Sequence, residues 1–195
     1  MTQALGKVLT SIDEANGVDP SLEQDESGHM VPAALLYGQR MSSELQRVFG
    51  DAASDVLKIA ARGQHIERWK VKRDSYPEGR AGYLTWRRDQ GRTHGERLAG
   101  LMEEQGYDVA DCERVGVLLR KEGIKRDAEV QMLEDVICFV FLKWYFDDFA
   151  AKHPEAKVLD IVSKTARKMS SDARARVISE FDLPDIFAKA VQSAA

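Results

Sequence analysis

A chain of 195 residues with 44% hydrophobic and 31% charged side chains carries enough apolar material for one domain with a substantial core, and this balance excludes a disordered or collagen-like chain. The formal net charge of −4 argues against general coating of nucleic acid, and the longest apolar run, VICFVFL at residues 136–142, is far too short to span a bilayer. The opening MTQALGKVLTSIDEAN lacks the apolar centre and small-residue cleavage pattern of a secretory signal, so a cytoplasmic location with no membrane partner is expected.

Helical spacing runs through nearly every segment, and none reads as a convincing strand alternation. Leu5, Val8, Leu9 and Ile12 form the stripe of a first helix ended by Gly17, and VDPSLEQDESGHMV reads as a polar loop. Pro32 sits where a helix accepts it in its first turn, ahead of AALLYGQRMSSELQRVF. A third helix opens near Asp51 or Ser54 and carries Val56, Leu57, Ala60 and Ala61 toward His65. A fourth spans about 82–104 and stops at Gly106; a fifth, ADCERVGVLLRKEG, stops at Gly123. A long helix over 128–149, apolar on nearly every side, belongs at the centre of the fold. Pro154 and Ser170 open two more, the second interrupted near Pro184. The expectation is an all-α single domain over 1–195 with about seven or eight helices: an N-terminal helix at 1–17, a core at about 31–150 and C-terminal helices at 154–195. Cys112 and Cys138 have no paired metal-ligand spacing and read as unpaired thiols.

Four polar residues fall where the helical pattern points to the core. His65 follows Leu57 and Ala61, His94 precedes Leu98, Leu101 and Met102, Glu122 follows Val115, Leu118 and Leu119, and Asp135 precedes Cys138, Phe139 and Leu142. A buried carboxylate needs a cationic, hydrogen-bonding or metal partner. Two imidazoles and two carboxylates from four helices suit a divalent metal such as Zn, Fe, Mn or Ni. The same residues can instead be satisfied by backbone carbonyls and arginines, and no two of them share a short ligand motif.

Charge is uneven along the chain. Residues 62–97 hold ten Lys and Arg against five Asp and Glu, while the rest carries eighteen against twenty-seven. Arg68, Arg73, Arg80 and Arg87 interleave there with Trp69, Tyr76, Tyr83 and Trp86, so that guanidinium forks suited to phosphate lie beside flat rings suited to a base. Lys121, Lys125 and Arg126 add cations around Glu122. Such a local basic surface on an acidic chain points to a small anionic ligand or to one stretch of nucleic acid.

The segments LLYGQRM, AARGQHIERWKVKRDSYPEGRAGYLTWR, HGERLAGLMEEQGYD, LRKEGIKRD, LEDVICFVFLKWYF and KTARKMS resemble, over almost the whole chain, an uncharacterised family of bacteria and fungi known only as a domain of unknown function. The order of elements is more distantly similar to the HD-domain metal-dependent phosphohydrolases, whose helices form an orthogonal bundle. Tyr37 stands where their first His would fall, Gln64-His65 replaces the His-Asp doublet, and Glu122 replaces a His; His94 and Asp135 fit best. The resemblance implies a divalent metal (Mn, Fe, Zn, Ni or Mg) held by His65, His94, Glu122 and Asp135. It also implies a small phosphorylated or nucleotide-like substrate bound by Arg40, Gln64, Arg68, Arg73, Arg80, Arg87, Lys121, Lys125 and Arg126. A metal-dependent phosphohydrolase is the first expectation, and a non-catalytic RNA- or tRNA-binding module using the basic segment is the alternative.

Overall fold

Capping residues set most of the helix starts. In the computed structural model, which describes residues 2–194, Thr2, Ser54, Asp108, Asp127 and Ser170 each accept a backbone N–H from the first turn of a helix. The chain divides into two compact units, residues 1–122 and 123–195. No helix among the described residues is long and apolar enough to cross a membrane.

The first unit begins with α1 (Gln3–Asn16), which buries Leu5, Val8 and Ile12. The polar loop expected next holds a hairpin, β1 (Leu22–Gln24) paired antiparallel with β2 (Met30–Pro32), the one departure from an all-helical chain among the described residues. Asp25 builds its turn by accepting the N–H groups of Ser27 and His29. Pro32 lacks the side chain to cap α2 (Ala33–Phe49), and Asp19 does so instead, accepting from the Ala34 N–H at 3.0 Å. Helix α2 passes so close to α3 (Asp55–Arg62) that a side chain at Gly38 would meet the Arg62 carbonyl at 2.5 Å. After two short 3₁₀ turns, α4 (Gly79–Glu103) packs against α5 (Val109–Arg120) so tightly that a side chain at Gly91 would meet the Leu119 carbonyl at 2.9 Å and one at Gly95 the Gly116 Cα at 3.0 Å.

The second unit holds α6 (Ala128–Val140), α7 (Phe146–Ala151), α8 (Glu155–Lys168), α9 (Ser171–Glu180) and α10 (Asp185–Gln192). The single long helix expected over 128–149 is broken by a π-turn at Phe141–Tyr145. That turn, and the expected interruption near Pro184 that separates α9 from α10, give ten α-helices among the described residues where about seven or eight were expected. The buried Phe146 and Phe187 meet edge to face at 5.5 Å, and the half-buried Phe141 and Phe149 at 5.8 Å. Cys112 and Cys138 are buried, one in each unit, and neither takes part in a disulfide.

Candidate functional site

Helix α4 turns one face inward at four-residue intervals. Trp86, Gln90 and His94 are buried along it, and each donates to the irregular segment after α3. The Trp86 indole N–H meets the Val71 carbonyl at 3.0 Å, and the Gln90 amide meets the carbonyls of Val71 at 3.0 Å and Arg68 at 3.1 Å. His94 Nδ1 lies 2.9 Å from the Ile66 carbonyl. A carbonyl can only accept, so His94 carries its proton on Nδ1. Its Nε2 is then a bare acceptor, buried and without a partner among the described residues. From α1, Asn16 Oδ1 accepts the Glu67 N–H at 3.0 Å, and Glu67 takes a left-handed conformation with φ of 52°. These four side chains satisfy the Glu67 N–H and the carbonyls of Ile66, Arg68 and Val71, backbone groups that the irregular, largely half-buried segment would otherwise leave unpaired.

The tethered segment displays His65 and Arg68. The His65 ring stacks on Tyr37 of α2 with centroids 3.9 Å apart and planes 19° from parallel. Burial, then the charges of Arg68, His94, Lys121 and Arg87, push the His65 imidazole well below its ordinary value. Burial and Arg68 likewise push His94 down to about 4, with Glu67 opposing. Both rings are therefore neutral near pH 7. The Arg68 guanidinium lies 4.5 Å over Trp86, and that of Arg87 lies 5.8 Å over Tyr83. Burial lowers the Arg68 pKa and Arg87 adds to the effect, while Tyr37 and Tyr83 pull it back up. Among the described residues neither arginine forms an ion pair. Lys121 closes α5 in a left-handed conformation, half-buried, and its charge also reaches His65. Three elements thus bring cations within electrostatic reach of one neutral imidazole. Gln64, next to it in the chain, has a buried side-chain oxygen without a partner.

The other expected site residues lie elsewhere. Glu122 does not point inward: it is exposed, and its Oε1 accepts from Arg120 Nε at 2.7 Å. That pair holds the Glu122 carboxyl below its ordinary value. The reason is local, since α5 ends at Arg120 and the left-handed Lys121 breaks the helical phase that the sequence spacing extrapolates. Asp135 is buried in the second unit, where its carboxylate accepts from the Ser170 N–H at 2.9 Å, the Ser170 hydroxyl at 2.7 Å and the Gln131 amide at 2.9 Å. Burial raises its pKa, and these three donors act in the opposite sense. Arg40 is clasped by the hairpin, with Glu26 at 3.3 Å and Glu23 at 3.5 Å. Arg73 closes the loop before α4, donating to the carbonyls of Tyr76, Pro77 and Gly79. Arg80 is exposed on α4, and Lys125 and Arg126 are exposed in the second unit.

No group of three or more His, Cys, Asp or Glu among the described residues is placed to hold a metal ion. With Glu122 turned to solvent and the Asp135 carboxylate already accepting three hydrogen bonds, the expected donor set does not fit a divalent metal. Guanidinium groups without an ion pair, within electrostatic reach of a neutral imidazole, are chemically suited to phosphoryl oxygens. Helical spacing singled out His65 and His94 as candidates, and the basic segment Arg68 and Arg87, but neither pointed to Tyr37 as a stacking partner or to Trp86 and Gln90 as tethers. The interval of four linking Trp86, Gln90 and His94 was the available signal.

Residues 6–191 match a family model described as Domain of unknown function (DUF4202), and the chain belongs to that family. No curated protein and no solved structure matches it.

Proposed function

We propose that this DUF4202 member binds a small phosphorylated or nucleotide-like ligand in its first unit, at Tyr37, His65, Arg68, Arg87 and Lys121. One observation carries the reading: Arg68 and Arg87 lack an ion-pair partner among the described residues while they and Lys121 act together on a neutral, half-buried imidazole. Holding Arg68 and Arg87 near each other with no ion-pair partner for either is unfavourable in the free protein, and a bound anion relieves it. The guanidinium groups, already placed over Trp86 and Tyr83, form paired hydrogen bonds to phosphoryl oxygens with little further ordering. An arriving negative charge raises the His65 pKa and draws a proton onto the ring, which then donates to the ligand.

The hydrolytic activity implied by the HD-type resemblance requires a metal that this donor set does not fit, so the reading is one of binding and no step is routed through a metal. Isothermal titration of the full chain with nucleoside monophosphates, sugar phosphates and inorganic phosphate tests it. At least one should bind in the presence of chelator, and Arg68→Gln should weaken that binding roughly tenfold or more. Retention of polynucleotide with a steep salt dependence, and no binding of small phosphates, would instead favour the RNA-binding alternative.

A further inference from the structure

The second unit carries an open, surface-facing cavity of about 450 Å³, all of whose lining residues belong to that unit. Lys125, Arg126 and Arg174 line it, against a single acidic residue, Asp127. The Asp127 carboxylate caps α6, its Oδ1 accepting the N–H groups of Glu129 and Val130 at 3.1 Å each. Lys125 and Arg126 form no ion pair among the described residues. Met169 and Ala128 supply apolar lining.

Asp135 tethers two of the lining residues. Its carboxylate fixes Ser170 and the Gln131 amide, and Gln131 in turn accepts the Lys125 N–H at 3.2 Å. Lys125 takes a left-handed conformation with φ of 67°, uncommon for a residue that bears a side chain. Arg174 donates to the Met169 carbonyl at 2.9 Å. The buried carboxylate that the sequence singles out therefore organises a cationic cavity.

We propose that this cavity is a second binding site, for a small phosphate-bearing anion, with Lys125, Arg126 and Arg174 contacting the phosphoryl oxygens. It is independent of the site around His65. Amide NMR spectra of the full chain during titration with inorganic phosphate, and separately with pyrophosphate, test it. Saturable shifts are expected in residues 125–131 and 169–174. Lys125→Gln/Arg126→Gln, with Arg126→Gln alone as the milder variant on an exposed side chain, should weaken those shifts roughly tenfold or more, whereas Arg68→Gln should leave them unchanged. Absence of saturable shifts in these segments, or wild-type binding there by either variant, overturns the proposal. Shifts confined to residues 64–71 would leave the site in the first unit standing and remove this one.

Discussion

His94 in the first unit and Asp135 in the second carry the same sequence signature, a polar residue on an apolar helical stripe, and they do complementary work. His94 donates to the Ile66 carbonyl; Asp135 accepts from Ser170 and Gln131. In each unit an irregular stretch of chain runs beside a buried helix, and the helix supplies what that stretch lacks. The difference lies in what remains afterward. His94 keeps an unused acceptor nitrogen in a cationic neighbourhood, while both Asp135 oxygens are engaged. A polar residue facing inward thus marks backbone to be satisfied before it marks a ligand, and the residues near it that stay unpaired are the better guide to binding.

The largest expected effect is at Asp135. Asp135→Ala removes the acceptor of three half-buried hydrogen bonds, and the variant should lose about 3 kcal/mol of stability in denaturant melts. Chelator should leave the wild-type melting curve unmoved; a chelator-sensitive wild type would make Asp135 a metal ligand and break the comparison. His94 comes next, through pH. Its folded-state value of about 4 lies below the ordinary 6.5, so between those values the unfolded chain binds more protons and stability rises with pH. Acidification from pH 6.5 to 4 should cost about 3 kcal/mol through this group, with His65 acting in the same direction. His94→Gln, which keeps a donor for the loop, should flatten that part of the profile; an unchanged slope would mean that His94 is not buried neutral.

Several features of the fold were legible because side-chain chemistry fixed them locally. Ser54 and Ser170 mark helix starts by their ability to cap, and Gly17 and Gly106 lie just past helix ends. The hairpin was not legible, since three-residue strands in a polar stretch are too short to show alternation. The π-turn at Phe141–Tyr145 was hidden because a segment apolar on nearly every side looks the same whether or not the helix is continuous. In the site, the basic loop and both histidines followed from spacing. Glu122 did not, because nothing in LLRKEG announces that Lys121 adopts φ of 58° two residues before the glycine. Arg40 and Arg73 look like ligand-binding cations in sequence, and only tertiary partners show them holding the hairpin and the loop.

Smaller effects sharpen the contrast. Gln90→Leu removes a tether shared by two carbonyls and should cost about 2 kcal/mol, with faster amide exchange in residues 66–71 than elsewhere in the first unit. Uniform exchange across that unit would show that the loop is held by other means. Glu122→Gln should change stability by no more than about 0.5 kcal/mol, as expected for an exposed pair screened by solvent. A loss several times larger in the same melts would return Glu122 to the interior.

Imidazole nitrogen NMR of the full chain, recorded with and without inorganic phosphate, tests the division of labour between His94 and His65 most directly. His94 should show the Nδ1–H tautomer with an unprotonated Nε2, the same in both spectra. His65 should be neutral at pH 6.5 without ligand and move toward the protonated form as phosphate is added. A proton on Nε2 of His94, or a His65 that ignores phosphate and shifts only when zinc is added, would contradict this assignment and restore the histidines as metal ligands.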